Sequence, residues 1–230
     1  MRRLFRNARA ILFITIMPAI LFVLFGRGET AGDDNLTGFV LIGVAVYGAM
    51  LATTNGGAMV ASERAVGWNR QLRLTPLRPV AYIAVKVAVA MALGAITISV
   101  TFGVGALAGA RLGGATWAWS AGLAWAGAVV FAAFGVLMGY LMPREHVMYM
   151  LGPLLAVLGY AGGLFTPVDR MGDVLAAIAP LSPAYGLGVL ARHPLTGEGP
   201  LVGGTLSVVG WTAAFTLAAV VVYRRDADRM

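Results

Sequence analysis

Six long apolar stretches, none holding an ionisable residue, restrict what this chain can fold into more than any other feature. They cover residues 11–25, 39–61, 87–110, 117–142, 147–165 and 201–223. A helix needs about 20 apolar residues to cross the roughly 30 Å hydrocarbon core of a bilayer. Four stretches exceed that length, the fifth almost reaches it, and the first needs its flanks to sink into the interface. In hydrocarbon every backbone N–H and C=O must find a partner within the protein, which a helix supplies by itself. The expected fold class is an all-α membrane protein with six transmembrane helices. The clean interiors also exclude a charge relay, because ion-coupled carriers place ionisable side chains at membrane depth. Any work this chain performs must be powered from outside these segments.

Composition agrees. Charged residues make up 12% and hydrophobic ones 59%, whereas a soluble domain carries about 25% charged residues. The longest piece outside the stretches is 166–200, so residues 1–230 are expected to form a single membrane domain. With no cysteine, disulfides and thiolate metal sites are excluded. No His, Asp or Glu set has metal-ligand spacing. A phosphate-binding loop requires a glycine-rich run ending in Lys then Ser or Thr. The sole lysine lies in Tyr82-Ile83-Ala84-Val85-Lys86-Val87, so the chain does not bind ATP that way. No enzymatic activity, cofactor or metal is expected of it. Intramembrane proteolysis is excluded too, since His146 and His193 fall in loops on opposite sides and no stretch contains Asp.

The net charge of +7 has a simple origin. The N-terminus, residues 62–86, the turn 143–146 and the tail beyond Tyr223 hold thirteen of the seventeen cations and a net +9. The remaining loops carry −2. Insertion retains positive residues in the cytoplasm, so both termini are expected inside. Membrane insertion, not nucleic acid, accounts for the basic pI. Near the N-terminus, Leu4, Phe5, Ala8, Ile11 and Leu12 oppose Arg2, Arg6 and Arg9 on a helical wheel, the pattern of an interfacial amphipathic helix. A cleaved signal peptide is the alternative. Pro18 and a poor small-residue pattern around 26–32 favour retention.

Mild polar residues lie within the stretches. Thr53, Thr54 and Asn55 sit deep in the second beside Gly56 and Gly57, and Thr97 and Thr101 in the third. Small and hydroxyl residues let membrane helices pack closely, and the same groups could line a substrate path. The Asn55 amide needs a partner, since an unpaired one is costly in hydrocarbon.

The strongest local signal is the connection between the second and third stretches. As a helix over 63–74, it places Ala65, Trp68 and Leu72 on an apolar stripe, with Glu63, Gly67 and Arg70 facing away. Glu63 then opens the helix, where the dipole favours a carboxylate. Thr75-Pro76 ends it. Such a helix could anchor at the interface or plug into a soluble partner.

These residues resemble the type-2 permeases of ATP-binding cassette (ABC) exporters, the membrane subunits of bacterial drug, polyketide, lipid and polysaccharide efflux systems. That family joins its second and third helices by Glu-Arg-Glu-x-Gly, then Leu-Arg-x-Thr-Pro, then Tyr-x-x-x-Lys. The matching residues are Glu63, Arg64, Gly67, Leu72, Arg73, Thr75, Pro76, Tyr82 and Lys86, with a departure at Ala65. Phe165-Thr166-Pro167 and Leu181-Ser182-Pro183-Ala184-Tyr185 fit the family's approach to its sixth helix. The resemblance implies a cytoplasmic coupling helix between helices 2 and 3, with Glu63, Arg64, Gly67, Trp68 and Arg70 as contacts to an ABC ATPase subunit. It also implies re-entrant helices between helices 5 and 6. The partner would use ATP and Mg. A second permease copy, identical or different, would complete the transporter in the bacterial cytoplasmic membrane. The substrate path would involve Thr53, Thr54, Asn55, Thr97 and Thr101, and its uncharged character suits an antibiotic, another amphiphilic drug or a lipid moving outward. A nucleotide-independent channel or passive carrier, or a scaffold docking a soluble partner, are the alternatives from other classes.

Overall fold

A computed structural model describes residues 8–26, 34–65, 79–197 and 199–228. Among these there is no strand. In chain order the helices are α1 (Ala8–Phe25), α2 (Asp34–Ala65), α3 (Pro79–Leu107), α4 (Gly114–Gly127), α5 (Val129–Leu141), α6 (Arg144–Ala161), α7 (Asp173–Ile178), α8 (Pro183–Thr196) and α9 (Leu201–Asp228). Two short 3-10 turns, Val168–Arg170 and Ala179–Leu181, flank α7.

Four helical segments are long and apolar enough to cross a membrane: Asp34–Ala65, Ala81–Leu107, Gly114–Leu141 and Leu201–Arg224. The α7–α8 pair, bent by 86°, raises the number to five if taken as one broken crossing. The first and fifth stretches, the two shortest in the sequence, are not among these four. The apolar part of α1 is Leu12–Phe25. α6 opens on Arg144, Glu145 and His146 and stops at Ala161, four residues before its apolar stretch ends. Its stop is chemical. Gly163 takes φ +70°, the Gly163 N–H donates to Tyr160 O (2.8 Å), and the Leu164 N–H donates to Gly159 O (3.0 Å). That paired capping pattern closes a helix on a left-handed glycine. Gly109 ends α3 in the same way, at φ +90°.

The fourth stretch forms α4 and α5 with a flattened turn at Ala128, whose N–H is shared between Ala124 O and Trp125 O at 3.1 Å each. Beside this turn a Cβ on Gly127 would lie 2.4 Å from Leu187 Cδ1, so the missing side chain lets α8 press against the break.

α2 is the central column, with α3 and α5 as its most extensive neighbours. Small residues on two of its faces explain why. Toward α3, a Cβ on Gly56 would stand 2.7 Å from Ala90 Cα, and one on Gly94 would stand 2.7 Å from the Thr53 methyl. Toward α5, a Cβ on Gly57 would meet Ala132 O at 2.5 Å, and one on Gly135 would meet Thr54 O at 2.1 Å. Backbones in such seams approach far closer than leucine-lined helices do, and dispersion is gained along the whole contact. Larger side chains fill the ends. Ile42, Val46, Met50, Phe131, Leu151, Leu155 and Leu187 are fully buried in one cluster joining α2, α5, α6 and α8.

The α7–α8 hairpin turns at Ser182, whose Oγ accepts from the Ala184 N–H at 3.2 Å, with Pro183 opening α8. At its tip the Leu181 carbonyl accepts from Trp211 Nε1 at 3.1 Å. Trp211 lies ten residues into α9, about 15 Å along that helix. Further along α8, Gly186 leaves space for Ser207 of α9.

Candidate functional site

Of the five coupling residues expected from the sequence, the structure describes Glu63 and Arg64, which lie in the last turn of α2. Glu63 does not open a separate short helix. It stands at the negative end of a helix dipole, where a carboxylate is disfavoured. Two donors from α3 compensate. Tyr82 Oη donates to Glu63 Oε2 and Lys86 Nζ to Glu63 Oε1. Tyr82 and Lys86 are four residues apart, one helical turn, so both face the carboxylate from the same side. The ammonium also sits 5.4 Å from the Tyr82 ring centroid.

Arg64 turns the other way. Its Nη1 donates to Gly139 O (3.2 Å) and Tyr140 O (2.5 Å), in the last turn of α5. Carbonyls there lack intrahelical partners, and a cation satisfies both them and the dipole. The guanidinium lies 5.6 Å from the Tyr140 ring, which meets Tyr223 of α9 edge-on at 5.6 Å. The end of α2 is thus fastened to α3, α5 and, through Tyr140, α9. Residues 66–78 leave this clamp at Ala65 and return to it at Pro79. Gly67, Trp68 and Arg70 lie outside the described residues.

The five polar residues lie on α2 (Thr53, Thr54, Asn55) and α3 (Thr97, Thr101). Thr53, Thr54, Thr97 and Thr101 are fully buried, and Asn55 is half-buried. Thr53 donates to Ala49 O (2.7 Å), Thr97 to Leu93 O (3.0 Å), Thr101 to Thr97 O (2.9 Å), and Asn55 Nδ2 to Leu51 O (2.7 Å). Each bond returns a proton to the preceding turn of its own helix, so one Asn55 amide N–H is satisfied within α2. Thr54 alone of the five bonds to another helix, donating to Phe131 O at 3.3 Å.

At the opposite end of α2, sequence reasoning passed over Arg192 of α8. This residue is 7% exposed and lines a cavity of about 240 Å³. Its acceptors are backbone carbonyls, described below.

The family model for ABC-2 family transporter protein matches residues 27–223. The chain belongs to the ABC-2 transporter family. Over 232 aligned residues it is 26% identical to YvfS of Bacillus subtilis (strain 168), named as a transport permease, covering 98% of this chain and 94% of that one. The match to the ABC-2 family extends across the clamp, the residue 66–78 segment and the hairpin. It makes this all-helical, multi-pass chain a membrane transport subunit of a family that associates with an ATPase.

Proposed function

We propose that this protein is the permease subunit of an ABC exporter, moving a hydrophobic or amphiphilic small molecule outward with ATP hydrolysed by a separate chain. The single observation that best supports this reading is the clamp. It grips both feet of residues 66–78, on α2 by Glu63 and Arg64 and on α3 by Tyr82 and Lys86. A load applied to that segment by a docked ATPase is delivered at once to the central helix and its two seam partners. In this scheme Gly67, Trp68 and Arg70 meet the ATPase, while Glu63 and Arg64 pass the motion inward. ATP and Mg belong to the partner, and a second permease copy supplies the other half of the path.

The proposed topology has six crossings in one domain: α1, α2, α3, α4–α5, α6 and α9. The α7–α8 hairpin dips in from outside, with Trp211 bonded to the backbone at its tip. Irregular backbone survives at membrane depth when protein covers it. Both termini and the clamp face the cytoplasm of a bacterial plasma membrane. Because the sequence has no cysteine, single cysteines give clean labelling. A cysteine at Asp173 should react with an impermeant maleimide in intact cells, whereas one at Asp228 should react only after lysis. The reverse pattern overturns the orientation.

Energy coupling has its own test. The purified chain should hydrolyse no ATP above background, since it lacks a phosphate-binding loop. Hydrolysis, and ATP-driven uptake of an amphiphilic dye into inside-out vesicles, should both require the ATPase chain. Dye movement at full rate without that chain would replace the exporter with a passive carrier.

A further inference from the structure

The cavity beside Arg192 combines features that no packing role requires together. Its walls include Phe39 of α2, Tyr185, Val189 and Arg192 of α8, and Asp169 of the first 3-10 turn. Arg192 is held rigidly. Nε donates to Phe39 O (3.3 Å), Nη1 to Gly163 O (3.0 Å) and Nη2 to Leu164 O (2.5 Å). The Phe39 ring centroid lies 3.6 Å from its Cζ. A Cβ on Gly43 would stand 2.3 Å from Nη2, so a glycine on α2 makes the seat.

A guanidinium carries five N–H donors. Three are used, which leaves one on each terminal nitrogen. Among the described residues no carboxylate lies within ion-pair distance of Arg192. A buried cation answered only by carbonyl dipoles keeps an uncompensated charge. Asp169, on a different element, lines the same cavity without pairing to it. A buried cation and an exposed acid thus line one space of about 240 Å³ without an ion pair between them. That volume is below the roughly 300–1,000 Å³ of drug-sized pockets, so it suits a polar headgroup better than a whole amphiphile. Apolar surface for attached chains lies close by. The 3-10 turn that carries Asp169 packs against α7, where Val174 and Ile178 are exposed.

We propose that this cavity binds the zwitterionic headgroup of an amphiphile, its phosphate against Arg192 and its ammonium against Asp169. Arginine suits the first role because its planar donors match phosphate oxygens. The inference does not rest on ATP coupling, since it concerns equilibrium binding to the isolated chain.

Native mass spectrometry of the detergent-purified full chain provides the test, titrating dihexanoyl-phosphatidylethanolamine against three comparison ligands. These are dihexanoyl-phosphatidylglycerol, dihexanoylglycerol and inorganic phosphate. The zwitterion should bind saturably with one copy per chain and at least tenfold more tightly than dihexanoylglycerol. Asp169→Asn should weaken the zwitterion about tenfold while changing phosphatidylglycerol by less than threefold. Arg192→Gln should weaken both phospholipids. If that variant fails to fold, the exposed Asp169→Asn decides alone. Equal binding of dihexanoylglycerol would overturn the headgroup assignment. So would zwitterion affinity unchanged in Asp169→Asn, or inorganic phosphate binding as tightly as the lipid.

Discussion

Replacing Gly135 with leucine is expected to prevent the bundle from assembling. The α2–α5 crossing has no room for any side chain there. A Cβ would lie 2.1 Å from Thr54 O and 2.8 Å from both Thr54 C and Cα. All three are backbone atoms of a fully packed helix, so nothing can rotate aside. Even alanine forces α5 off α2, at the upper end of the about 1–3 kcal/mol typical of overpacked cores. Leucine adds three more carbons to the same clash. It should consume most of a stability that is only about 5–15 kcal/mol for a whole domain. Separation at this seam would also strip Thr54 of its bond to Phe131 O. Thermal melting and monodispersity in mild detergent would read the effect. Gly135→Ala should lower the melting temperature and Gly135→Leu should leave little monodisperse protein. Gly103→Ala, where no atom lies within 4 Å of the new Cβ, should match or exceed the parent because alanine favours the helix. A Gly135→Leu protein melting like the parent would refute the close crossing.

The second large effect concerns Glu63. Charge-assisted hydrogen bonds contribute about 1.5–3 kcal/mol each. Glu63 accepts two. Side-chain exposures of 26% for Glu63 and 18% for Lys86 screen the pair and draw the total toward the lower end. Glu63→Lys sets like charge against Lys86, so it should cost more than Glu63→Gln and should detach the end of α2 from α3. In the reconstituted complex, hydrolysis by the partner would then no longer drive export. The informative experiment is the swap, Glu63→Lys with Lys86→Glu. If Glu63 acts through Lys86, the swap should regain most of the lost melting temperature and a measurable part of coupled export. If its carboxylate instead meets the ATPase directly, the swap should regain stability while ATPase co-purification and export stay lost. Failure to regain stability would overturn the clamp itself.

The contrast between these two ends of α2 shows what kind of chemistry a sequence advertises. Tyr82 and Lys86 stand at a spacing that puts both on one helical face, and Glu63 is the nearest acid. That constellation is visible in the residues, although its use within the chain emerges only from the fold. A helix opening at Glu63 would turn its carboxylate outward, whereas α2 continues to Ala65 and holds it in its final turn. The helical class and the four long spans followed from hydropathy alone. The fifth stretch did not, because its stop depends on φ at Gly163, and Gly162-Gly163 reads equally well as a close-packing pair. Thr53, Thr97 and Thr101 were ambiguous for a related reason: hydropathy cannot say whether a hydroxyl faces a cavity or its own preceding turn. Arg192 was invisible as a site since every acceptor it uses is a main-chain carbonyl, at Phe39, Gly163 and Leu164. Carbonyls carry no residue signature, and two of these lie 28 and 29 positions away, the third 153.

The unequal helix lengths bear on the surrounding lipid. At 1.5 Å per residue, the 32 residues of α2 measure about 48 Å and the 18 of α1 about 27 Å. The apolar part of α6, residues 147–161, measures about 22 Å. If both cross, as proposed, a hydrocarbon slab of roughly 30 Å is overrun by the first and underfilled by the last. α1 exposes Leu12, Phe13, Leu24 and Phe25, and α6 exposes Tyr149, Met150 and Val157, so both short helices present apolar flanks to whatever adjoins them. Where that neighbour is lipid, the acyl chains must shorten or splay along those two helices, at fractions of a kcal/mol per Å. In the proposed six-crossing topology the protein would therefore prefer thin bilayers on two of its flanks, and thicker membranes would penalise lipid there relative to a protein neighbour.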